Sequence, residues 1–292
     1  MPHRVNPLQM ALAAGILQGT VYPIVGLALR SFTPYEIAFA RACLAALTIG
    51  LFSRMSSKRI FIRKQDFLML CCASIFGTSI FYALQGYGVE LASPNEAAFL
   101  MATYPLLASI LAWVILKENL TPKKILGLIL GLIGAFLIFT EGKSPSNFGW
   151  LPLLGRIAAL GASLSWSLYV VASRKLTAHA KVDTYYFTFN SFLLSIPIMF
   201  YVSLVSSATI IPRVDSIISL LWLGVCGSGV AFLLMNNALK EAKTSTVTSA
   251  LMISPFVTVI VTIFLLGQWP TVPQLAGGGL ILLGVWIANF LQ

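Results

Sequence analysis

Apolar residues fall in long blocks along this chain, and polar residues fall in the short links between them. Ten blocks approach the roughly 20 apolar residues that a helix needs to cross a bilayer: 8–29, 34–53, 67–89, 95–115, 122–140, 152–173, 184–205, 216–239, 244–266 and 273–291. The pattern predicts an all-α integral membrane protein with ten transmembrane helices. No link is long enough for a soluble domain. The first block is too long for the apolar core of a secretory signal, and it is read as retained.

The second half of the pattern repeats the first. The stretch from Pro94 to Thr140 is an apolar helix kinked at Tyr104-Pro105, a short basic turn and a Gly-rich apolar helix. A shift of 150 positions brings the same plan back without a gap, with Pro105 on Pro255, Leu116 on Leu266, Thr121 on Thr271, Gly127 on Gly277 and Gly134 on Gly284. The match extends backward through Leu84 on Leu234, Gly77 on Gly227 and Leu70 on Leu220. The expected units are residues 1–142 and 143–292, each of five helices. Five crossings is an odd number, so the second unit enters the membrane from the opposite side. Two inverted five-helix repeats around a central cavity is a recurrent construction of secondary transporters.

Composition supports the membrane assignment: 58% of residues are hydrophobic and 10% are charged, against about 25% charged in a soluble domain. The net charge of +10 could suggest nucleic acid, but the basic residues sit in the links, so no nucleic-acid partner is expected. Alternate links hold Arg4; Arg54, Lys58, Arg59, Arg63 and Lys64; Lys117, Lys123 and Lys124; Arg174, Lys175 and Lys181; and Lys240 and Lys243. The opposite ends hold only Arg30, Lys143, Arg156 and Arg213. This bias predicts cytoplasmic N- and C-termini, in a bacterial inner (plasma) membrane. Cys43, Cys71, Cys72 and Cys226 lie in apolar blocks without CxxC spacing, and His3 and His179 lie in links. No metal, cofactor or disulfide framework is expected. An intramembrane hydrolase would need a buried histidine or lysine, so the expectation is not an enzyme.

Pro105 and Pro255 each free a carbonyl four residues earlier, at Met101 and Leu251. Either the kinks are repaired by nearby hydroxyls, with Thr103 and Ser254 available, or the opened backbone lines a cavity. Polar and aromatic residues inside the blocks should face the bundle interior. The candidate solute-binding set is Gln18, Tyr22, Tyr82, Gln85, Thr103, Tyr104, Trp166, Tyr169, Asn190 and Asn237. Together they describe an uncharged, aromatic-rich cavity suited to a small amphipathic solute. Tyr35, Tyr185, Tyr186, Trp150, Trp222 and Trp269 lie near block ends and read as an interfacial belt.

Arg41 and Glu96 are the intramembrane charges, and either is functional or part of a structural pair, Arg41 with Glu96 or with Glu36. Proton coupling through Glu96 is a further reading. Gly127, Gly131, Gly134, Gly277, Gly278, Gly279 and Gly284 form small-residue faces, for packing within the monomer or for a homodimer contact. Gly142-Lys143-Ser144 imitates the end of a phosphate loop, but Leu137 stands where the leading glycine belongs. Asn119-Leu120-Thr121 falls on the cytoplasmic side and is an accidental glycosylation triplet.

These motifs resemble the EamA-type branch of the drug/metabolite transporter superfamily over nearly the whole chain. The likeness is carried by Tyr104-Pro105, Leu116-Lys117-Glu118, Thr121, Gly127 and Gly134, and by Ser254-Pro255, Leu266-Gly267-Gln268, Thr271, Gly277 and Gly284. Ala40-Arg41-Ala42 resembles the family's arginine position, and Ser165-Trp166-Ser167-Leu168-Tyr169 its sixth-span tryptophan. The chain departs from the family with Gln18 where a tryptophan is common and Gln268 where a glutamate is common. The resemblance implies a ten-span bundle that moves amino acids or related small metabolites, mostly outward. A nucleotide-sugar or sugar-phosphate carrier of the same superfamily and a non-transporting scaffold are the alternatives. The expected partners are a small-molecule substrate and the lipid bilayer.

Overall fold

The computed structural model describes residues 6–55, 67–116, 121–140, 149–179, 182–206, 212–242 and 244–290. Arg4, Lys58, Arg59, Arg63, Lys64, Lys117, Lys143, Lys181 and Lys243, with His3, Asn119 and the 142–144 triplet, lie outside them. Among the described residues nine helical stretches are long and apolar enough to cross a membrane. They are spans one to nine: Pro7–Ala28, Pro34–Arg54, Phe67–Leu91, Pro94–Ile115, Pro122–Thr140, Trp150–Thr177, Thr184–Val205, Val214–Glu241 and Thr246–Leu266. Span ten is the apolar helix Val272–Phe290. Each agrees with its predicted block to within a few residues.

Helix starts follow ordinary capping chemistry. Asn6 and Gln9 form a capping box at span one. Glu36 accepts from the backbone N–H of Thr33 at 2.8 Å and from its hydroxyl at 3.1 Å. Ser93 accepts from the Glu96 N–H at 3.1 Å, with Pro94 opening span four. Asp183 accepts from the N–H groups of Tyr185 and Tyr186.

Spans four and nine are each broken by two residues just before their proline, giving Pro94–Met101 then Tyr104–Leu116, and Thr244–Leu251 then Ser254–Leu266. The breaks are 150 positions apart. So are two turns wound as wider π-helix, Ile75–Ile80 and Val225–Val230. Such turns leave carbonyls without their helical donors, and Ser165 of span six donates to the Phe76 carbonyl at 2.5 Å. Span six also meets the span-four kink. The Ser163 hydroxyl donates to that of Thr103 at 2.8 Å and stands 3.4 Å from the Met101 carbonyl, and Ser167 is shared between the Ser163 carbonyl at 2.7 Å and the Tyr104 carbonyl at 2.9 Å. Thr103, the hydroxyl expected to mend Met101, donates instead to Leu100 at 2.8 Å. In span one, Pro23 leaves the Gly19 carbonyl without its donor, and Thr258 of span nine supplies one at 2.7 Å. Span seven also breaks, at Leu194–Ser195 ahead of Pro197.

The glycine faces of spans five and ten meet each other. A Cβ on Gly134 would sit 2.4 Å from the Gly277 carbonyl oxygen, and one on Gly127 would sit 2.4 Å from that of Gly284. The two helices therefore run antiparallel with backbones in contact, a separation that only glycine permits. Those faces are used within the chain. Large apolar side chains such as Leu68, Leu132, Phe136 and Phe264 point outward, as suits a surface solvated by lipid.

Candidate functional site

A small cavity of about 40 Å³ lies in the middle of the bundle. Span one brings Gln18, Val21 and Tyr22 to it, span two brings Arg41, and span three brings Phe81 and Gln85. The two broken helices supply equivalent stretches of wall, Met101, Ala102 and Tyr104 from span four and Leu251, Met252, Ser254 and Pro255 from span nine. Trp166 and Phe232 close it. The residues at both breaks line the space, while Thr103, foreseen as the repair of the Met101 carbonyl, bonds Leu100 instead.

Arg41 is the charged group in this wall, and it is only 2% exposed. Its Nε donates to the Ser228 hydroxyl at 3.1 Å and its Nη1 to the Gln85 Oε1 at 2.7 Å. Its guanidinium carbon lies 3.8 Å from the centre of the Tyr82 ring, and the Tyr82 hydroxyl donates to Ser228 at 2.8 Å. Each of these partners is neutral. They supply acceptors and a π face but no countercharge. Neither Glu96 nor Glu36 pairs with Arg41. Glu36 is occupied at the start of span two, and Glu96 is held by Arg156.

That second charged cluster lies where spans four, six and ten begin. Arg156 Nε donates to Glu96 Oε2 at 3.1 Å and Nη2 to Oε1 at 3.3 Å, Gln274 donates to Oε1 at 2.8 Å, and Arg156 Nη1 reaches the Phe139 carbonyl at 2.9 Å. The two ion-pair side chains are 3% and 6% exposed. Position alone places Arg156 near the outer end of its span, and the fold adds its pairing with Glu96. The signal that could have identified it was a lone arginine inside an apolar block that also needed a partner for Glu96.

An aromatic cluster backs the cavity. Trp166 stacks on Tyr169 with centroids 5.3 Å apart and also meets Phe81 at 4.7 Å and Phe232 at 4.9 Å. Behind it Asn236 donates to the Tyr169 hydroxyl at 2.8 Å and to Thr188 at 2.9 Å, and accepts from Ser173 at 2.8 Å.

Of the residues proposed from sequence, Gln18, Tyr22, Arg41, Gln85, Tyr104, Trp166 and Pro255 come together on the cavity wall. Tyr82 lies against Arg41 and Tyr169 against Trp166, one layer back. Thr103 is bonded to Ser163 at 2.8 Å, and Asn190 donates to the Tyr186 carbonyl at 2.8 Å, both away from the wall. Pro105 follows Tyr104 but is not on the wall, and Asn237 is half-buried while its neighbour Asn236 is the networked one. Tyr186 is buried rather than interfacial. Ser228, Phe232 and Gln274 were missed because nothing in their local sequence separates them from packing residues.

The sequence profile of the EamA-like transporter family matches this chain twice, over residues 7–140 and 153–290. The chain belongs to the EamA-like transporter family. It is a multi-pass integral membrane transporter of the drug/metabolite transporter superfamily. This EamA-like transporter is 29% identical over 98% of its length to uncharacterized transporter YyaM of Bacillus subtilis (strain 168), covering 94% of that protein. It is 23% identical over 98% of its length to an uncharacterized transporter of Archaeoglobus fulgidus, covering 97% of that one. A solved crystal structure superposes with a TM-score of 0.73 at 19% identity, covering 98% of this chain and 96% of the other, which shows a shared fold.

Proposed function

We propose that this EamA-like transporter is a secondary carrier that exports a small neutral or zwitterionic metabolite, with an amino acid as first candidate, across the inner membrane by alternating access. Arg41 carries the proposal. A buried cation held by neutral groups on a cavity wall lacks a countercharge, and a solute carboxylate would supply one while meeting a guanidinium fork already oriented by Gln85 and Ser228. The rings of Tyr22, Phe81, Trp166 and Phe232 would receive an apolar side chain. Nucleotide sugars and sugar phosphates carry more negative charge than a single arginine can balance.

The two halves, 1–142 and 143–292, act in this reading as inverted units with both termini cytoplasmic. The 150-position spacing of the helix breaks and π-turns supports that relation, as does the reciprocal contact of Gly127 with Gly284 and Gly134 with Gly277.

The test is a thermal-shift panel of amino acids, purines and sugar phosphates on the purified protein, followed by counterflow in liposomes without ATP. Amino acids should raise the melting temperature, and Arg41→Gln and Trp166→Ala should lower flux while expression persists. Stabilisation by sugar phosphates alone, or flux untouched by both substitutions, rejects the proposal.

A further inference from the structure

A second recess of about 260 Å³ opens at the end of the bundle where spans one, three and nine finish and span four begins. Its lining includes Gly26, Arg30, Glu90, Pro94, Leu266 and Gln268. On the orientation proposed above, this is the outer end. Spans one, three, four and nine border both the recess and the central cavity.

Helical phase traces the separating layer. In span nine, Pro255 lines the cavity and Leu266 lines the recess, and Thr258 and Thr262 stand between them at steps of three and four residues. In span four, Ala98 lines the cavity and Pro94 the recess, with Asn95 on the edge between. In span one, Tyr22 lines the cavity and Gly26 the recess. This seam is closed by packing, yet it holds polar atoms that the packing does not satisfy. Asn95 is 2% exposed and Thr262 0% exposed. The Asn95 Oδ1 and the Thr262 Oγ1 have no hydrogen-bond partner among the described residues. An orphaned buried polar group costs stability, and an alanine or valine at either place would remove that cost. The other orphaned hydroxyls, Ser74, Ser79, Thr184 and Ser249, lie in spans three and seven and at the opposite end of span nine.

The residue next to Asn95 behaves in the opposite way. Glu96 is fully engaged by Arg156 and Gln274, which ties the head of span four to spans six and ten. The head of span four is thus anchored on one side and polar but unbonded on the other. An opening that keeps those bonds leaves the head of span four in place and falls on its other side, toward spans one and nine.

We infer that Asn95 and Thr262 line the outer leg of the translocation path, a seam between spans one, four and nine that joins the central cavity to the outer recess when it opens. Their polar atoms, orphaned in the closed seam, are solvated in the open one and offer hydrogen bonds to a passing polar solute. The inference rests on the carrier reading and its orientation, and it names where the solute leaves.

The test uses the full chain with Cys43, Cys71, Cys72 and Cys226 replaced by alanine. Gln268→Cys, Thr262→Cys, Asn95→Cys and Leu100→Cys are introduced singly. Each variant is treated with a membrane-impermeant methanethiosulfonate, in intact cells and in inverted vesicles. The expected result is loss of the free thiol from outside at 268, 262 and 95, with the thiol retained at 100. Labelling from outside at 268 but at neither 262 nor 95 overturns the seam. Labelling at 268 from the inside only overturns the orientation instead. Ala98→Cys, a smaller change at the cavity end of the same line, replaces Asn95→Cys if that variant does not fold, and its labelling from outside is read in the same way.

Discussion

Arg156→Met would leave Glu96 buried beneath the heads of spans four, six and ten with only Gln274 to bond it. The lost contacts are two charge-assisted hydrogen bonds to the carboxylate, at 3.1 and 3.3 Å, and one to the Phe139 carbonyl at 2.9 Å. The pair is nearly sealed from solvent, at 3% and 6% exposure, so screening does little to soften the loss. Breaking one side of such a pair costs about 3–5 kcal/mol. At roughly 2–4 °C per kcal/mol for a chain a little smaller than this one, the melting temperature should fall by about 10 °C. The double variant Glu96→Leu with Arg156→Met removes both charges and leaves apolar groups of similar bulk. It should recover a large part of the loss, because an ion pair and a well-packed apolar pair of equal volume differ little in stability. The assay is thermal unfolding of detergent-purified protein at one fixed scan rate, read as a double-mutant cycle. A single variant that melts with the parent, or a double variant as unstable as the two singles added together, would refute the reasoning.

Two other predictions come from packing. Gly134→Val or Gly277→Val places side-chain atoms where the opposing carbonyl already stands 2.4–2.5 Å from a first carbon; spans five and ten must separate, and recovery of monodisperse protein after extraction should collapse, whereas Gly279→Ala, with nothing within 4 Å, should leave yield unchanged. Asn236→Leu removes three buried hydrogen bonds at once, those to Tyr169 and Thr188 and that from Ser173, and should lower stability by about 2–4 kcal/mol, while Asn237→Leu next to it should change the same melting curve far less.

The scaffold was legible in sequence wherever it depends on backbone chemistry. Apolar run length located the spans, Pro105 and Pro255 marked the breaks, and glycines seven residues apart marked the helices that touch. Each of these signals belongs to one residue type acting on its own chain. The charged pairing was not legible, because it depends on which helices lie side by side. Arg41 and Arg156 are both single arginines in apolar blocks, and only the fold shows that spans four and six run together, so that Arg156 and not Arg41 reaches Glu96. Asn236 and Asn237 pose the same problem at closer range. Adjacent residues on a helix point about 100° apart, and the polar face of span eight cannot be chosen before its neighbours are known. Pro23 and Pro197 were the exceptions among backbone signals, overlooked because neither has a proline counterpart in the other repeat.

Repeated and unrepeated features divide along functional lines. The π-turns, the helix breaks and the touching glycines recur at a spacing of 150 positions. The side chains at and behind the cavity wall do not: Tyr82 answers to Phe232, Gln85 to Met235 and Tyr104 to Ser254. Two similar halves that exchange shapes need the same weak points in their backbones, since a turn that bends in one half must bend in the other. Recognition of a solute has no such requirement, and a symmetric ring of identical groups would fit an asymmetric metabolite badly. On the proposed reading, the duplicated backbone therefore supplies the motion and the unduplicated side chains supply the selectivity. Phe232→Tyr with Met235→Gln gives the second repeat the side chains of Tyr82 and Gln85 at similar bulk, and it should then spoil solute binding while leaving the bundle folded. If this double variant instead unfolded the protein, those side chains would be structural and the division would be wrong.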